Sequence, residues 1–226
     1  MKIPLNSSQI IKLLSTMAIL LIIANIIMLF IYFSVDNPDK FDFLQMVDLD
    51  QEANLPTLFS SAILLISAFL FYLLSRIEKQ SNNKDRPFWL GLTFIFIFLG
   101  FDESAKIHEN LGDLSEHFVE ATGYLHYPWV ISYSLLVLIL GFVYIRFFWT
   151  MKRKVFFSFM GAAFIFLSGA VGFELLGAKE ASLHGSDTIL YCTLYTIEES
   201  LEMFGVIYLI SILLNLLKNV TIEINR

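Results

Sequence analysis

The chain has 226 residues, of which 57% are hydrophobic and only 16% are charged, and its formal net charge is −6. Soluble domains contain fewer apolar and more charged residues than this, so the composition excludes a soluble globular protein and indicates an integral membrane protein. The single cysteine, Cys192, excludes an internal disulfide and a metal site built from several cysteines.

Six apolar segments are long enough to cross the roughly 30 Å hydrocarbon core of a bilayer as helices. They lack the polar alternation of barrel strands, so we predict an all-α polytopic membrane protein, a bundle of six transmembrane helices that forms a single transmembrane domain over residues 1–226. The first apolar run is too long for a signal peptide and no cleavage site follows it, so we expect it to be retained. The segments cover about 13–33, 55–75, 87–109, 127–149, 155–177 and 188–217.

The basic residues of the connections are distributed unevenly between the two sides of the membrane. Lys and Arg concentrate on the cytoplasmic side of most membrane proteins, and here one side holds only Lys40, Lys106 and Lys179. We therefore predict a multi-pass protein of the inner membrane with both termini in the cytoplasm. The basic residues of the cytoplasmic side are Lys2, Lys12, Arg76, Lys79, Lys84, Arg86, Arg146, Lys152, Arg153, Lys154, Lys218 and Arg226.

The first external connection, residues 34–54, combines many acids with spaced apolar side chains. Two interpretations remain open: a solvated loop with a short helix at the membrane interface, or an acidic entrance that concentrates cations near the outer surface. Its acids are Asp36, Asp39, Asp42, Asp48, Asp50 and Glu52. In the first two segments, we expect Asn25, Ser60, Ser61 and Ser67 to bond neighbouring helices or their own backbone.

Two acids, Asp102 and Glu202, are predicted to lie at the same depth below the outer interface. The fifteen residues 87–101 precede Asp102 in the third segment, and the fifteen residues 203–217 separate Glu202 from the cytoplasmic end of the sixth. Each stretch spans roughly 22 Å as a helix, which is less than the ~30 Å core. Charge at that depth is costly unless it is paired, hydrated or bound to a cation, so such acids indicate a functional site.

A band of further ionisable residues lies just above this pair when residues are counted from the cytoplasmic end of each segment. On a helix, Glu198 shares a face with Glu202, and Asp102 shares a face with Glu109. We predict a common outward-facing polar cavity built by helices three, five and six and closed by helix four through His126, Tyr127 and Trp129. The band contains Glu174, Glu198, His108, Glu109 and His126.

Small residues beside Glu174 are expected to let another helix approach that carboxylate closely. They are Ala170, Gly177, Ala178 and Ala181. By contrast, we expect the remaining acids near helix ends to lie in the headgroup region, and two histidines to be solvated. These acids are Glu103, Glu116, Glu120, Glu180 and Asp187, and the histidines are His117 and His184.

Carboxylates together with one or two imidazoles suit Zn, Mn or Fe, so the leading hypothesis is a divalent-metal site used for membrane-associated enzymatic chemistry. A metal that activates water, with a free carboxylate as general base, would hydrolyse a lipid-borne substrate. Hydrolysis is favoured over oxidation because the Glu-x-x-His pattern of di-iron bundles is missing. The candidate metal ligands are Asp102, Glu174, Glu198, Glu202, His108 and His126, and the candidate catalytic residues are Glu109, His108 and Glu199.

Two motifs, FDESAKIHENLG and TIEESLEMFG, resemble segments shared by a group of uncharacterised bacterial multi-pass membrane proteins. In that group a Leu/Phe-Asp-Glu…His-Glu segment is followed by a Glu-Glu…Leu-Glu-Met-x-Gly segment. The resemblance carries over no activity; it implies that the two segments form one feature.

Two other classes of function remain open. Acids that gain and lose protons or coordinate a passing cation would suit a cation or proton-coupled transporter. Acids that fix helix packing would suit a structural or sensor protein that binds a partner. The expected partners are the lipid bilayer and either a lipid-borne substrate or a divalent cation; no nucleic-acid partner is expected, and the sequence leaves the oligomeric state open.

Overall fold

The structure, a computed structural model, describes residues 7–35, 42–80, 84–108, 110 and 121–218. Among these residues six helical spans are long and apolar enough to cross a membrane, which confirms the prediction of an all-α chain with six such helices. The spans are α1 (Ser7–Ser34), α2 (Leu55–Gln80), α3 (Arg86–Ala105), α4 (Trp129–Trp149), α5 and α6 (Ile189–Leu217). The fifth consists of α5a (Arg153–Leu167), a π-helical segment (Ser168–Phe173) and α5b (Glu174–His184).

Helix α6 lies at the centre of the bundle and packs against α1, α2 and all parts of α5. Its apolar side chains supply much of the core, and Ile210 and Leu213 are fully buried. Helices α2 and α3 form the most extensive pair: Ser61 Oγ lies 2.6 Å from Ser104 Oγ, as expected for a serine in a span. Helix α4 is peripheral, since its apolar residues remain largely exposed.

The fifth span departs from a regular α-helix next to Glu174. A π-helical turn holds more residues than an α-helical turn, so the α-helical spacing that placed Ala170 beside Glu174 does not continue through Ser168–Phe173. The close approach to α6 is made instead by Gly169, where a Cβ would lie 2.6 Å from the Glu198 carbonyl oxygen. Ala178, as expected for a small residue facing another helix, is fully buried.

Helix α3 ends earlier than the predicted segment. It stops at Ala105 because Lys106 adopts a left-handed conformation with φ of 52°. The chain then turns back, and the backbone N–H of His108 donates to Asp102 Oδ1 at 2.7 Å. The prediction that Asp102 shares a helical face with Glu109 stays untested, since Glu109 lies outside the described residues.

Close packing of α5a on α6 depends on Gly205, where a Cβ would lie 2.7 Å from the backbone nitrogen of Phe166. We expect Gly205→Ala to lower stability by about 1–3 kcal/mol, because backbone atoms cannot move aside as a side chain can. Thermal unfolding of the purified protein in detergent measures the effect. Gly172→Ala is the matched control, since no atom lies within 4 Å of a Cβ there; equal melting temperatures for the two variants would contradict this packing.

Candidate functional site

A cavity of about 1240 Å³ lies between α3, α4, α5 and α6. This volume exceeds the range of about 300–1,000 Å³ that is usual for sites of small soluble ligands. One end, which we call the acidic end, is lined by carboxylates and by residues 49–52 of the first connection. The other end, which we call the apolar end, is lined by aromatic and aliphatic side chains such as Phe71, Phe148 and Phe159.

The acidic end brings together most of the site residues that the sequence predicts. Asp102 and Glu198 are buried, with 6% and 8% of their surface exposed. Glu109 lies outside the described residues. The predicted residues on the cavity wall are Asp102, Glu174, Glu198, Glu199, Glu202, His108 and His126.

The carboxylates of the acidic end lie close to one another. The side chains of Glu174 and Glu198 are within hydrogen-bonding reach, and Trp129 is within the same reach of Glu174. Glu199 and Glu202 lie near enough to Glu103 to interact electrostatically. Within the described ranges, no lysine or arginine lines the cavity, so its own walls supply no permanent positive charge.

His108 contacts the end of α3, the first connection and α4. Its Nδ1 lies 3.5 Å from Asp102 Oδ1, its Nε2 lies 3.7 Å from Glu52 Oε1, and its ring centroid lies 4.8 Å from that of Trp129. Burial alone would lower the pKa of His108, but the hydrogen bond to Asp102 and the negative charges of Asp102, Glu52 and Glu103 together raise it above its usual value. An imidazolium at this position would balance part of the carboxylate charge.

The first connection reaches the cavity instead of staying in solvent. A short helix is present there, as one interpretation predicts, in the form of a 3-10 helix at Asp42–Val47. The residues after it are docked: the Tyr191 hydroxyl donates to Asp50 Oδ1 at 2.8 Å, and the Tyr195 hydroxyl donates to Asp48 Oδ1 at 3.2 Å. Burial raises the pKa of Asp48, although hydrogen bonds from the Asp50 backbone and Tyr195 oppose the shift.

Asn25 of α1 holds this docked segment in place. It is fully buried, and its side chain accepts a hydrogen bond from the backbone N–H of Leu49 at 3.1 Å and donates to Thr196 Oγ1 at 2.9 Å. The expectation that this amide bonds a neighbouring helix is confirmed. It also has a second role, since it fixes the loop that forms one wall of the acidic end.

Several residues of the acidic end are missed by sequence reasoning. Glu103 is predicted in the headgroup region, but it lines the cavity beside Asp102, because the cavity is wide enough to receive two successive positions of α3. Asp50 and Glu52 line the cavity because the first connection docks there. The run of acids in that connection is the sequence feature that could have indicated them. The expected helix-end acid Glu180 does lie away from the cavity, where it contacts His184 at 3.1 Å.

The described side chains of the acidic end do not form a metal-binding group in their present positions. Among the described residues, no group of three or more His, Cys, Asp or Glu side chains is placed to hold a metal ion. The carboxylates face one cavity but do not converge on one point. A metal bound there would require the side chains of neighbouring helices to close around it.

Comparison with known proteins places the chain in a family. A family model described as "Domain of unknown function (DUF8692)" matches residues 13–216. No curated protein and no solved structure matches the chain.

Removal of the Asn25 amide is expected to release the docked loop. Asn25→Leu leaves the Leu49 N–H without its acceptor, which costs about 1–3 kcal/mol for a buried donor. We expect a lower melting temperature and faster proteolytic cleavage between residues 42 and 54. Ser211→Ala is the control, because the exposed Ser211 hydroxyl bonds only its own helix backbone; cleavage at the same rate in both variants would argue against the role of Asn25.

Proposed function

The chain belongs to the DUF8692 family, and from the cavity we propose that it binds a divalent cation at the acidic end and hydrolyses a membrane-borne substrate there. The metal would be Zn, Mn or Fe, since these ions accept mixed carboxylate and imidazole ligands. The acidic end supports this proposal, because acids of helices α3, α5b and α6 line the same cavity there.

One observation carries the proposal, namely the imbalance of charge at the acidic end. Eight acidic side chains line the cavity together with two histidines, and no lysine or arginine in the described part of the chain does so. Negative charges near one another in a low-dielectric environment repel strongly, and the membrane span offers no bulk water to screen them. Lys106 Nζ, which does not line the cavity, lies 3.3 Å from Glu52 Oε2 and offsets one of these charges. Protons or a bound cation are needed to balance the others.

The donor set fits a hard or borderline cation, although the present side-chain positions do not form a ligand shell. Glu174 and Glu198 already lie together, and Asp102 lies beside His108. Glu202 and His126 are the remaining proposed ligands. A divalent ion would lower the pKa of bound water, while Glu199, His108 or Glu109 would take up and release the proton as general base and acid.

Cation transport would use the same acids, but the apolar end does not favour it. A transported ion needs polar groups along its whole path, whereas Phe71, Phe148 and Phe159 line the far part of the cavity. Transporter sites also tend to lie near the membrane midplane between repeated halves. We therefore favour hydrolysis over cation transport as the function.

Elemental analysis of protein purified without chelator tests the cation proposal. We expect about one Zn, Mn or Fe per chain, and we expect Asp102→Asn and Glu202→Gln each to weaken metal binding by about tenfold or more, because each removes a ligand charge. Glu180→Gln, which alters an acid away from the cavity, should retain the metal. A parent protein without metal, or equal loss in the Glu180 variant, would end the proposal.

We also propose that the protein lies in the bacterial inner membrane with both termini in the cytoplasm, so that the acidic end faces outwards. The distribution of lysine and arginine supports this orientation. On the proposed cytoplasmic side, Arg86 begins α3 and Arg153 begins α5a, while Lys106 and Lys179 lie towards the opposite ends of their spans.

Cysteine labelling in intact cells tests the orientation. Because Cys192 is the only cysteine, Cys192→Ser provides a cysteine-free background. A membrane-impermeant maleimide should label Tyr124→Cys, whose position is 49% exposed, and should label Lys152→Cys only after the membrane is permeabilised. The reverse pattern would overturn both the orientation and the outward-facing acidic end.

A further inference from the structure

We propose that the apolar end of the cavity holds the alkyl chain of an amphiphile that enters from the bilayer between α3 and α4, and that its head group carries an amine or hydroxyl and no phosphate. This inference rests on the proposed function, whose substrate class it names. It is carried by three features: an opening between two helices, the length of the apolar walls, and the chemistry of the acidic end.

Helices α3 and α4 touch near both of their ends. At the apolar end the rings of Phe88 and Phe147 stack with centroids 4.9 Å apart, and the Tyr144 hydroxyl donates to the Phe88 carbonyl at 3.3 Å. At the acidic end the ring of Trp129 lies 4.8 Å from that of His108. These two contacts mark the limits of a slit between the helices.

Between the two contacts, side chains of both helices line the cavity and also reach the surface of the protein. On α3, Phe94 and Phe98 are 63% and 38% exposed; on α4, Leu136 and Ile145 are 40% and 44% exposed. The backbones of α3 and α4 seldom approach within packing distance of each other, so these side chains border a gap between the two helices. Because this part of both helices is apolar and lies within a span, the slit opens towards lipid.

The length of the apolar wall suits a long alkyl chain. Apolar residues that line the cavity occur along α4 from Leu136 to Phe148, a distance of roughly 18 Å at 1.5 Å per residue. Burial of apolar surface stabilises a bound chain in proportion to its area, but a chain already in lipid gains little from an equally apolar wall. The head group must therefore supply the selectivity.

The head group is constrained by the charges and donors that it meets. Carboxylates that stay ionised beside a single divalent ion would repel a phosphate. An amine or hydroxyl instead donates hydrogen bonds to carboxylates. The rings of Trp129, Tyr127 and Tyr191 also line this end and can hold an ammonium group over their faces.

An independent observation at the slit points to a polar group on the ligand. The hydroxyl oxygen of Tyr133 is fully buried on the cavity wall and makes no hydrogen bond of good geometry with the described residues. The Asp102 carboxylate lies within reach of this hydroxyl. Buried polar groups in proteins are rarely left poorly paired, and a head-group amine or hydroxyl placed between Tyr133 and Asp102 would bond both, so we assign this pair of side chains to the head group of the amphiphile.

Photo-crosslinking with a matched pair of probes tests the inference. Hexadecylamine and hexadecyl phosphate, each carrying a diazirine on the chain, would be added to the full-length protein in vesicles of neutral lipid. We expect saturable labelling of α3 and α4 by the amine, and about tenfold weaker labelling by the phosphate, which corresponds to a difference of about 1.4 kcal/mol. Equal labelling by both probes would overturn the assignment of the head group.

Substitutions on α4 test the slit. Gly141 lines the cavity and has no atom within 4 Å of a Cβ, so Gly141→Trp and the smaller Gly141→Leu should fill the space without disturbing the backbone. We expect both to reduce amine labelling, the Trp variant by about tenfold. Leu138→Trp is the control, since Leu138 is 70% exposed and does not line the cavity. Equal labelling in all three variants would overturn the slit.

Elemental analysis of the same Gly141→Trp samples separates this inference from the proposed function. Gly141 lies far along α4 from the acidic end, so the variant should keep its metal while losing the amine probe. Metal without saturable labelling would overturn the inference alone. Labelling as described in a chain that never binds metal would overturn the proposed function and leave the amphiphile site in place.

Discussion

The constraint on which this structure depends is the concentration of negative charge inside a membrane bundle. Eight acidic side chains of the described residues share one cavity whose walls hold no lysine or arginine, and transfer of charge away from water is costly. The fold relieves part of this cost locally: His108 lies between Asp102 and Glu52, and tyrosine hydroxyls bond Asp48 and Asp50. The remainder requires protons or a cation, which is why the acidic end defines the proposed chemistry.

Close helix packing is what brings these acids together. Gly169 and Gly205 let α5 approach the backbone of α6, and the π-helical segment between α5a and α5b lies directly before Glu174. Glu174 leaves the helix directly after this wider turn, and its side chain comes within hydrogen-bonding reach of Glu198. π-Helical turns occur frequently at functional sites, and here the turn has an identifiable structural consequence.

The architecture and much of the acidic end could be predicted because both follow from helix length and depth. A rise of about 1.5 Å per residue fixes how far along their helices Asp102 and Glu202 lie, whatever their neighbours are. The features that escaped prediction depend on local backbone conformation. The left-handed Lys106 ends α3 before Glu109, and the docking of Asp48 and Asp50 depends on Asn25, which lies more than twenty residues earlier in the chain. The apolar end depends on which helices are neighbours, and periodicity does not determine that.

The weak attachment of α4 has a mechanical consequence. Its firm contacts lie near its two ends, at Phe147 and Trp129, whereas the core formed by α1, α2, α5 and α6 is packed along its length. The middle of α4 therefore has less packing to resist bending than the core helices have. A bend there would change the width of the cavity without repacking α6, so one framework would fit alkyl chains of different thickness.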